Sequence, residues 1–241
     1  MSSADWTFLT NVLNSASVAR GVTAGLAPPS GGGSFVYGMN SLQNNVGLVG
    51  LYTSLANFVP MAKGGDIRGA IRRGLGGGVT LFAPYLFVGL GGIDVADNAY
   101  ILGLADADPA HIVLRKGPLN GGLPDVAPGT GGVLARSTAT YAKDTWQHLR
   151  LVAVANPSGD VVLNVYRNDL DVNPVTAPVW AAVPGMSGYP NGIAETAFID
   201  DALGVNSGSL PYTSGRAGFA GYFGDVTRRC YFDHIVLGRQ T

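Results

Sequence analysis

Acid–base or nucleophilic chemistry needs titratable side chains that can converge, and this chain is short of them. Glycoside hydrolysis takes a pair of carboxyl groups. The sequence holds a single glutamate, Glu195, so an aspartate would have to be its partner. The three histidines, His111, His148 and His234, stand far apart and form no HExxH pair. His148 and His234 each sit inside an apolar strand pattern, which reads as a half-buried structural imidazole. Neither G-x-S-x-G nor GxxxxGK(S/T) occurs. Gly74, Gly76, Gly77 and Gly78 make a glycine-rich stretch, but no Lys-Ser/Thr follows, so it reads as a loop crossing a sheet edge. The expectation is a chain with no catalytic residues.

Binding chemistry has better candidates. Hard cations take oxygen ligands from loops, and two acidic clusters qualify for calcium: Asp94, Asp97 and Asn98, then Asp200, Asp201 and Asn206. Neither has EF-hand spacing, and loop carboxylates are more often simply solvated. Sugar faces stack on aromatic rings, so Trp180, Tyr189, Tyr212, Tyr222 and Phe223 are candidates for a carbohydrate platform. The competing reading makes them core or interface anchors. Cys230 is alone, which excludes an internal disulfide and a cysteine zinc site.

Composition narrows the partners. Net charge is −1 and the isoelectric point about 6.3, so no basic field draws nucleic acid or an anionic membrane. Arg68, Arg72 and Arg73, with Arg115 and Lys116, form a small basic cluster. Arg68 and Arg72 alternate with Ile67 and Ile71, which places both arginines on the wet face of one strand. Only 13% of residues are charged, about half the usual share. Either part of the surface is covered by other subunits, or Gly, Ser, Thr and Asn loops replace charge as the solvated surface. The opening Met-Ser-Ser-Ala-Asp-Trp lacks the pattern of a secretory leader, there is no N-glycosylation sequon, and the apolar stretch 79–90 is too short to cross a bilayer. Together these point to folding in a reducing cytoplasm.

The elements that position these residues read as strands. Candidates lie at 66–73, 84–90, 99–104, 112–115, 132–136, 148–155, 161–167, 216–222 and 229–237. Asp106-Ala107-Asp108-Pro109 and Asn156-Pro157-Ser158-Gly159 are turn sequences. The second joins two apolar stripes, Leu149 and Leu151 on one side and Val161, Leu163 and Val165 on the other, which makes a hairpin packed on a core. Trp146, just before it, is expected to be buried where the strand enters. Residues 1–34 read as a lead-in or docking segment: Asp5 can cap a short helix with Trp6, Leu9 and Leu13 on one face, followed by a strand near 18–24. Residues 35–60 carry both periods. Phe35, Val36 and Tyr37 look like a strand, while Leu48, Leu51, Tyr52, Leu55 and Phe58 fit a helix that Gly47 and Gly50 weaken. Many short strands with Gly/Pro turns predict an all-β, two-sheet antiparallel sandwich over 35–241.

Trp146-Gln147-His148-Leu149-Arg150-Leu151, then Asn156-Pro157-Ser158-Gly159-Asp160 and Val161-Val162-Leu163-Asn164-Val165-Tyr166, resemble the central hairpin of concanavalin A-like (laminin-G-like) domains. Tyr100 to Asp106 with Ile112 to Gly117 is similar to a neighbouring hairpin. Gly215 to Phe219 and Tyr231 to Leu237 look like the closing strands. The resemblance covers 66–241 and implies a jelly-roll sandwich. The glycine-rich, cysteine-poor style also resembles virion proteins of tailed bacteriophages with this fold. That implies a non-enzymatic structural component of the virion, made in the host cytoplasm and placed in a tail, a baseplate or as a capsid decoration. Its partners would be other virion proteins and identical copies set by the particle's symmetry. The alternative implied is a carbohydrate-binding adhesin for a bacterial surface glycan. Glucan-cleaving members carry a Glu-x-Asp-x-x-Glu strand, which is absent here, and the Asp/Asn arrangement of legume-lectin metal sites is absent at matching positions.

Overall fold

The computed structural model describes residues 6–10, 16–21, 36–41, 47–53, 59–60, 62, 64–74, 82–92, 97–107, 109–142, 144–168, 177–188, 196–201, 210–223 and 229–239. Strands are numbered in chain order. The first sheet runs Trp6–Thr10 (β1), Gly47–Thr53 (β4), Ser214–Phe223 (β16), Phe82–Leu90 (β7), Asn98–Leu104 (β8), Ala110–Pro118 (β9), Val133–Tyr141 (β10) and Ser187–Gly188 (β14), with Val59–Pro60 (β5) also on β16. The second runs Trp180–Ala182 (β13), Val161–Asn168 (β12), Gln147–Ala155 (β11), Gly65–Arg73 (β6), Arg229–Arg239 (β17), Val36–Ser41 (β3) and Ala16–Gly21 (β2), with Ala197–Asp200 (β15) also on β12. Their pairings are antiparallel, as in the β11–β12 hairpin and the β6–β17 ladder. This is the two-sheet sandwich expected from the strand pattern. Among the described residues, no helix is long and apolar enough to cross a membrane.

Alternation decides which side chains meet between the sheets. Ile67 and Ile71 of β6, Leu149 and Leu151 of β11, and Val161, Leu163 and Val165 of β12 are fully buried. They pack with Leu86 and Val88 of β7, Leu102 of β8, Leu114 of β9 and Phe219 of β16. Burying each such side chain contributes about 1.5–3 kcal/mol. The turn 156–159 closes the hairpin as expected. Asn156 N–H donates to Asp160 O at 2.9 Å, and Gly159 takes φ +95°, a conformation glycine adopts at little cost.

The first sheet is buried on its second face too. Leu48, Tyr52, Tyr85, Phe87, Ile101, Val113 and Val133 form a separate apolar layer there, capped by Leu119 and Leu123. A strand covered on both faces reads as a continuous apolar run rather than an alternating one. That explains β4: Leu51 points to the inter-sheet core while Leu48 and Tyr52 point to the outer layer. The helical spacing of these residues came from two buried strand faces.

Two further expectations change. The helix expected from Asp5 is instead strand β1, whose Trp-Thr-Phe-Leu-Thr composition favours extended backbone and which pairs Trp6 with Thr53. The strand expected near 18–24 falls at 16–21 and pairs with β3. Trp146 does not enter the main core. It is partly buried and packs against Tyr231 in a satellite cluster, because it precedes β11 on the outer side of the second sheet.

Candidate ligand-binding face

The outer face of the first sheet is closed by residues 118–132. Arg115 Nε donates to Gly131 O at 2.9 Å, and Nη1 donates to Pro118 O and Gly122 O, both at 3.0 Å. Tyr85 OH donates to Leu119 O at 2.8 Å. Arg136 Nε donates to Asp125 Oδ1 at 2.7 Å, and Asp125 Oδ2 lies 2.9 Å from His111 Nδ1. A His–Asp contact can begin an acid–base relay, but here Arg136 Nη2 lies 2.9 Å from Nδ1 and 3.2 Å from Nε2. The imidazole therefore faces a cation. The triad clamps the cover.

The interior holds a second polar cluster. Lys116 Nζ lies 2.6 Å from Asp200 Oδ2, with the two side chains 1% and 3% exposed. Tyr100 OH donates to the same oxygen at 2.6 Å and accepts from Tyr212 N–H at 2.9 Å. Lys116 Nζ sits 4.9 Å from the Tyr212 ring centroid. Burial, and then the Asp200 charge, raise the Tyr100 phenol well above its usual pKa, so it remains a donor. The cluster ties β8, β9, β15 and the approach to β16 together.

The outer face of the second sheet carries the exposed chemistry. Cross-strand register places Ala182, Tyr166, Arg150, Arg68 and Val236 in one row. The next row holds Trp180, Asn168, His148, Ala70 and Asp233, and Arg72 lies opposite Tyr231 in the row beyond. Arg150 Nε donates to Asp66 Oδ1 at 3.0 Å and Nη2 to Oδ2 at 2.6 Å, a fork that raises the guanidinium's pKa. The same guanidinium carbon lies 5.8 Å from the Tyr166 centroid and 6.0 Å from that of Trp180, within cation–π range. Arg72 lies 6.0 Å from the Trp146 centroid.

His148 is the anomaly on this face. It is 7% exposed, its ring meets Trp180 edge-on at 4.8 Å, and both ring nitrogens are shielded without a hydrogen-bond partner. Burial, then the charges of Arg68 and His234, lower its pKa to about 4. A neutral imidazole has one N–H donor and one acceptor, and here neither is met. Arg68 is partly exposed and has no carboxylate partner among the described residues, since the ion pair in its row joins Arg150 to Asp66.

The four described aromatic candidates do not converge. Trp180 stands on this face. Tyr212 packs on Tyr100 at a ring separation of 5.0 Å. Tyr222 is partly buried against the first sheet's outer layer. Phe223 is fully buried and presents no ring to a sugar, a correction that follows from its place in the inter-sheet core. Tyr189 lies outside the described residues, as do Asp94, Asn206 and Glu195. Asp200 is the buried counterion of Lys116 rather than a loop ligand. Asp97 and Asp201 are partly buried. Among the described residues no three His, Cys, Asp or Glu side chains gather to hold a metal. Cys230 is buried, and its thiol pKa is raised by that burial. Sequence reasoning put Arg68 and Arg72 on the outward face of their strand, as the structure does, but the Arg72 side chain is only 14% exposed there. That reasoning missed their meeting with His148, Arg150, Tyr166 and Trp180, because β6 pairs with β11 across a long stretch of chain.

No family model matches the chain, and no curated protein does. Solved structures align with it over most of its length. One is a legume lectin-like domain from Entamoeba histolytica, at 9% identity and a TM-score of 0.46, covering 95% of this chain and 91% of that one. Another is the metal-free lectin I-B4 of Griffonia simplicifolia, at 9% identity and 0.46, covering 98% and 93%. A third is a carbohydrate esterase from the Shiga toxin-encoding bacteriophage phi24B, at 11% identity and 0.42, covering 98% and 91%. No binding residue carries over at such identities.

Proposed function

We propose that this chain is a non-catalytic saccharide-binding module whose ligand lies on the outer face of the second sheet. The supporting observation is the edge-on contact of Trp180 with His148, beside Tyr166 and the guanidiniums of Arg150 and Arg68. Indole and phenol rings accept the C–H face of a sugar, and guanidinium N–H groups meet its hydroxyls and ring substituents. A few polar groups among rings is the usual make-up of a small-ligand site. The first sheet offers less, since its outer layer is capped by Leu119 and Leu123.

The test is a glycan array probed with the wild-type chain and Trp180→Ala. It is run with and without calcium, which tests the loop carboxylates Asp97 and Asp201 as ligands. Wild type should bind at least one glycan class, and Trp180→Ala should weaken that binding tenfold or more with an unchanged thermal melt. Clean negatives for wild type, or full binding by the variant, contradict the reading.

A second reading makes the chain a structural subunit of a tailed-phage particle, in tail, baseplate or capsid-decoration position, with identical copies as neighbours. It is favoured by the 13% charge and by β2, which ends the second sheet and pairs only with β3 among the described residues. An open edge can be extended by a neighbour's strand. A strictly monomeric solution mass at micromolar concentration, with no co-purifying partner, counts against it.

A further inference from the structure

We propose that the outer face of the second sheet holds an anion subsite between Arg68 and His148, with Trp180 on the far side of the imidazole, which accepts the carboxylate of an acidic saccharide. The inference rests on the saccharide-binding reading and names the ligand class. It starts from an imbalance. Arg150 is neutralised by its fork on Asp66 and Arg72 has Asp144 at 3.9 Å, while Asp233, opposite Ala70, keeps its Oδ2 without a hydrogen-bond partner. Arg68 has no such counter-charge among the described residues. A guanidinium has donors only, in a fork that fits a carboxylate.

The position next to Arg68 is held by a group that lacks partners. Arg68 stands opposite Arg150, and Ala70 opposite His148, so Arg68 and His148 are diagonal neighbours on one face. Such neighbours lie about 7–8 Å apart at the backbone and within reach of long side chains. A carboxylate between them accepts from the Arg68 fork with one oxygen and from the imidazole N–H with the other. Trp180 meets the imidazole from the β12 side, away from Arg68. A ligand carboxylate on the Arg68 side therefore satisfies a donor that folding leaves unmet, while the indole remains available to the sugar ring.

Protonation follows from the same geometry. The charged groups facing His148 are Arg68 and Arg72 from β6, Asp233 and His234 from β17, and Arg150 on its own strand. Burial, and then the charges of Arg68 and His234, hold it neutral. An anion placed against Arg68 cancels that cation's share and sets a negative charge beside the ring, which favours the imidazolium, so ligand binding takes up a proton. Affinity should rise as pH falls from 7.5 to 5.5, a range in which sugar carboxylates remain ionised.

The experiment measures calorimetric affinity for oligosaccharides of galacturonate, glucuronate and sialic acid, each against its methyl ester, at pH 7.5 and 5.5. Wild type should bind at least one acid form tenfold or more tighter than its ester, and several-fold tighter again at pH 5.5. Arg68→Ala should erase the preference for the acid, and Arg68→Lys should keep part of it. His148→Phe should remove the pH dependence while the chain stays folded. Equal affinity for acid and ester overturns the anion subsite. If Trp180→Ala then still weakens both forms, the saccharide reading survives. No binding to any form, with no effect of Trp180→Ala on the array, overturns both.

Discussion

Replacing Asp200 by Asn removes the charge that balances Lys116 and almost nothing else. The pair is 2.6 Å apart, with side chains 1% and 3% exposed, so water cannot take over the role of the lost carboxylate. Breaking a buried pair from one side costs about 3–5 kcal/mol. The Asn carbonyl can still accept from Tyr100 OH, which places Asp200→Asn near the lower end and Asp200→Ala near the upper. For a chain of this length each kcal/mol moves the melting temperature by roughly 2–4 °C, so the expected fall is about 6–20 °C. The assay is thermal and urea unfolding followed by circular dichroism. The control is Lys116→Met with Asp200→Asn, which keeps an acceptor for Tyr100 OH. Removing both charges should recover most of the loss, because no buried charge is then left uncompensated. If Asp200→Asn unfolds within about 0.5 kcal/mol of wild type, or the double variant is as unstable as the two singles added, the pair does not hold β9 to β15 as described.

His148→Phe should flatten the pH dependence of stability. The folded imidazole has a pKa of about 4 against about 6.5 unfolded. The unfolded chain thus binds more protons between those values, and stability falls as pH drops from 6.5 towards 4. The share lost is on the order of 3 kcal/mol by linkage, read as the difference in urea midpoint between pH 7 and pH 4.5 for wild type and variant. Trp146→Ala should cost only about 1–2 kcal/mol, since partial burial against Tyr231 carries less than a full core cavity. A loss above about 3 kcal/mol would return Trp146 to the core. Gly103→Ala should cost about 1–3 kcal/mol by overpacking, because its Cβ would sit 2.3 Å from Pro84 O. An unchanged melt would show that β7 and β8 separate freely.

The sandwich was legible where strands alternate or turns punctuate. The stripe of Leu149 and Leu151 against Val161, Leu163 and Val165 needed only period-two spacing and the 156–159 turn. β4 was not legible, because apolar residues on both faces of a strand mimic a helix. β1 was misread for a related reason: a plausible capping residue says nothing about a partner strand far along the chain. The cover over the first sheet was invisible because Leu119, Leu123 and Arg115 act through carbonyls of an irregular segment. Of the described aromatic candidates only Trp180 lies on the proposed face. Ring type carries no information about which side of a sheet it occupies, and Phe223 turns inward. Arg68 and Arg72 were placed on the outward face from alternation alone. Their neighbours His148 and Arg150 come from β11, a pairing that local pattern does not encode.

The ligand face itself is tested most directly by chemical-shift mapping during titration with the saccharide that binds best. The Trp180 indole N–H, the His148 ring and the Arg150 side chain should shift together and saturate at one affinity. Shifts confined to β9, β10 and the 118–132 cover, or a bound saccharide that leaves the Trp180 indole unmoved, would contradict the placement of the site on the second sheet.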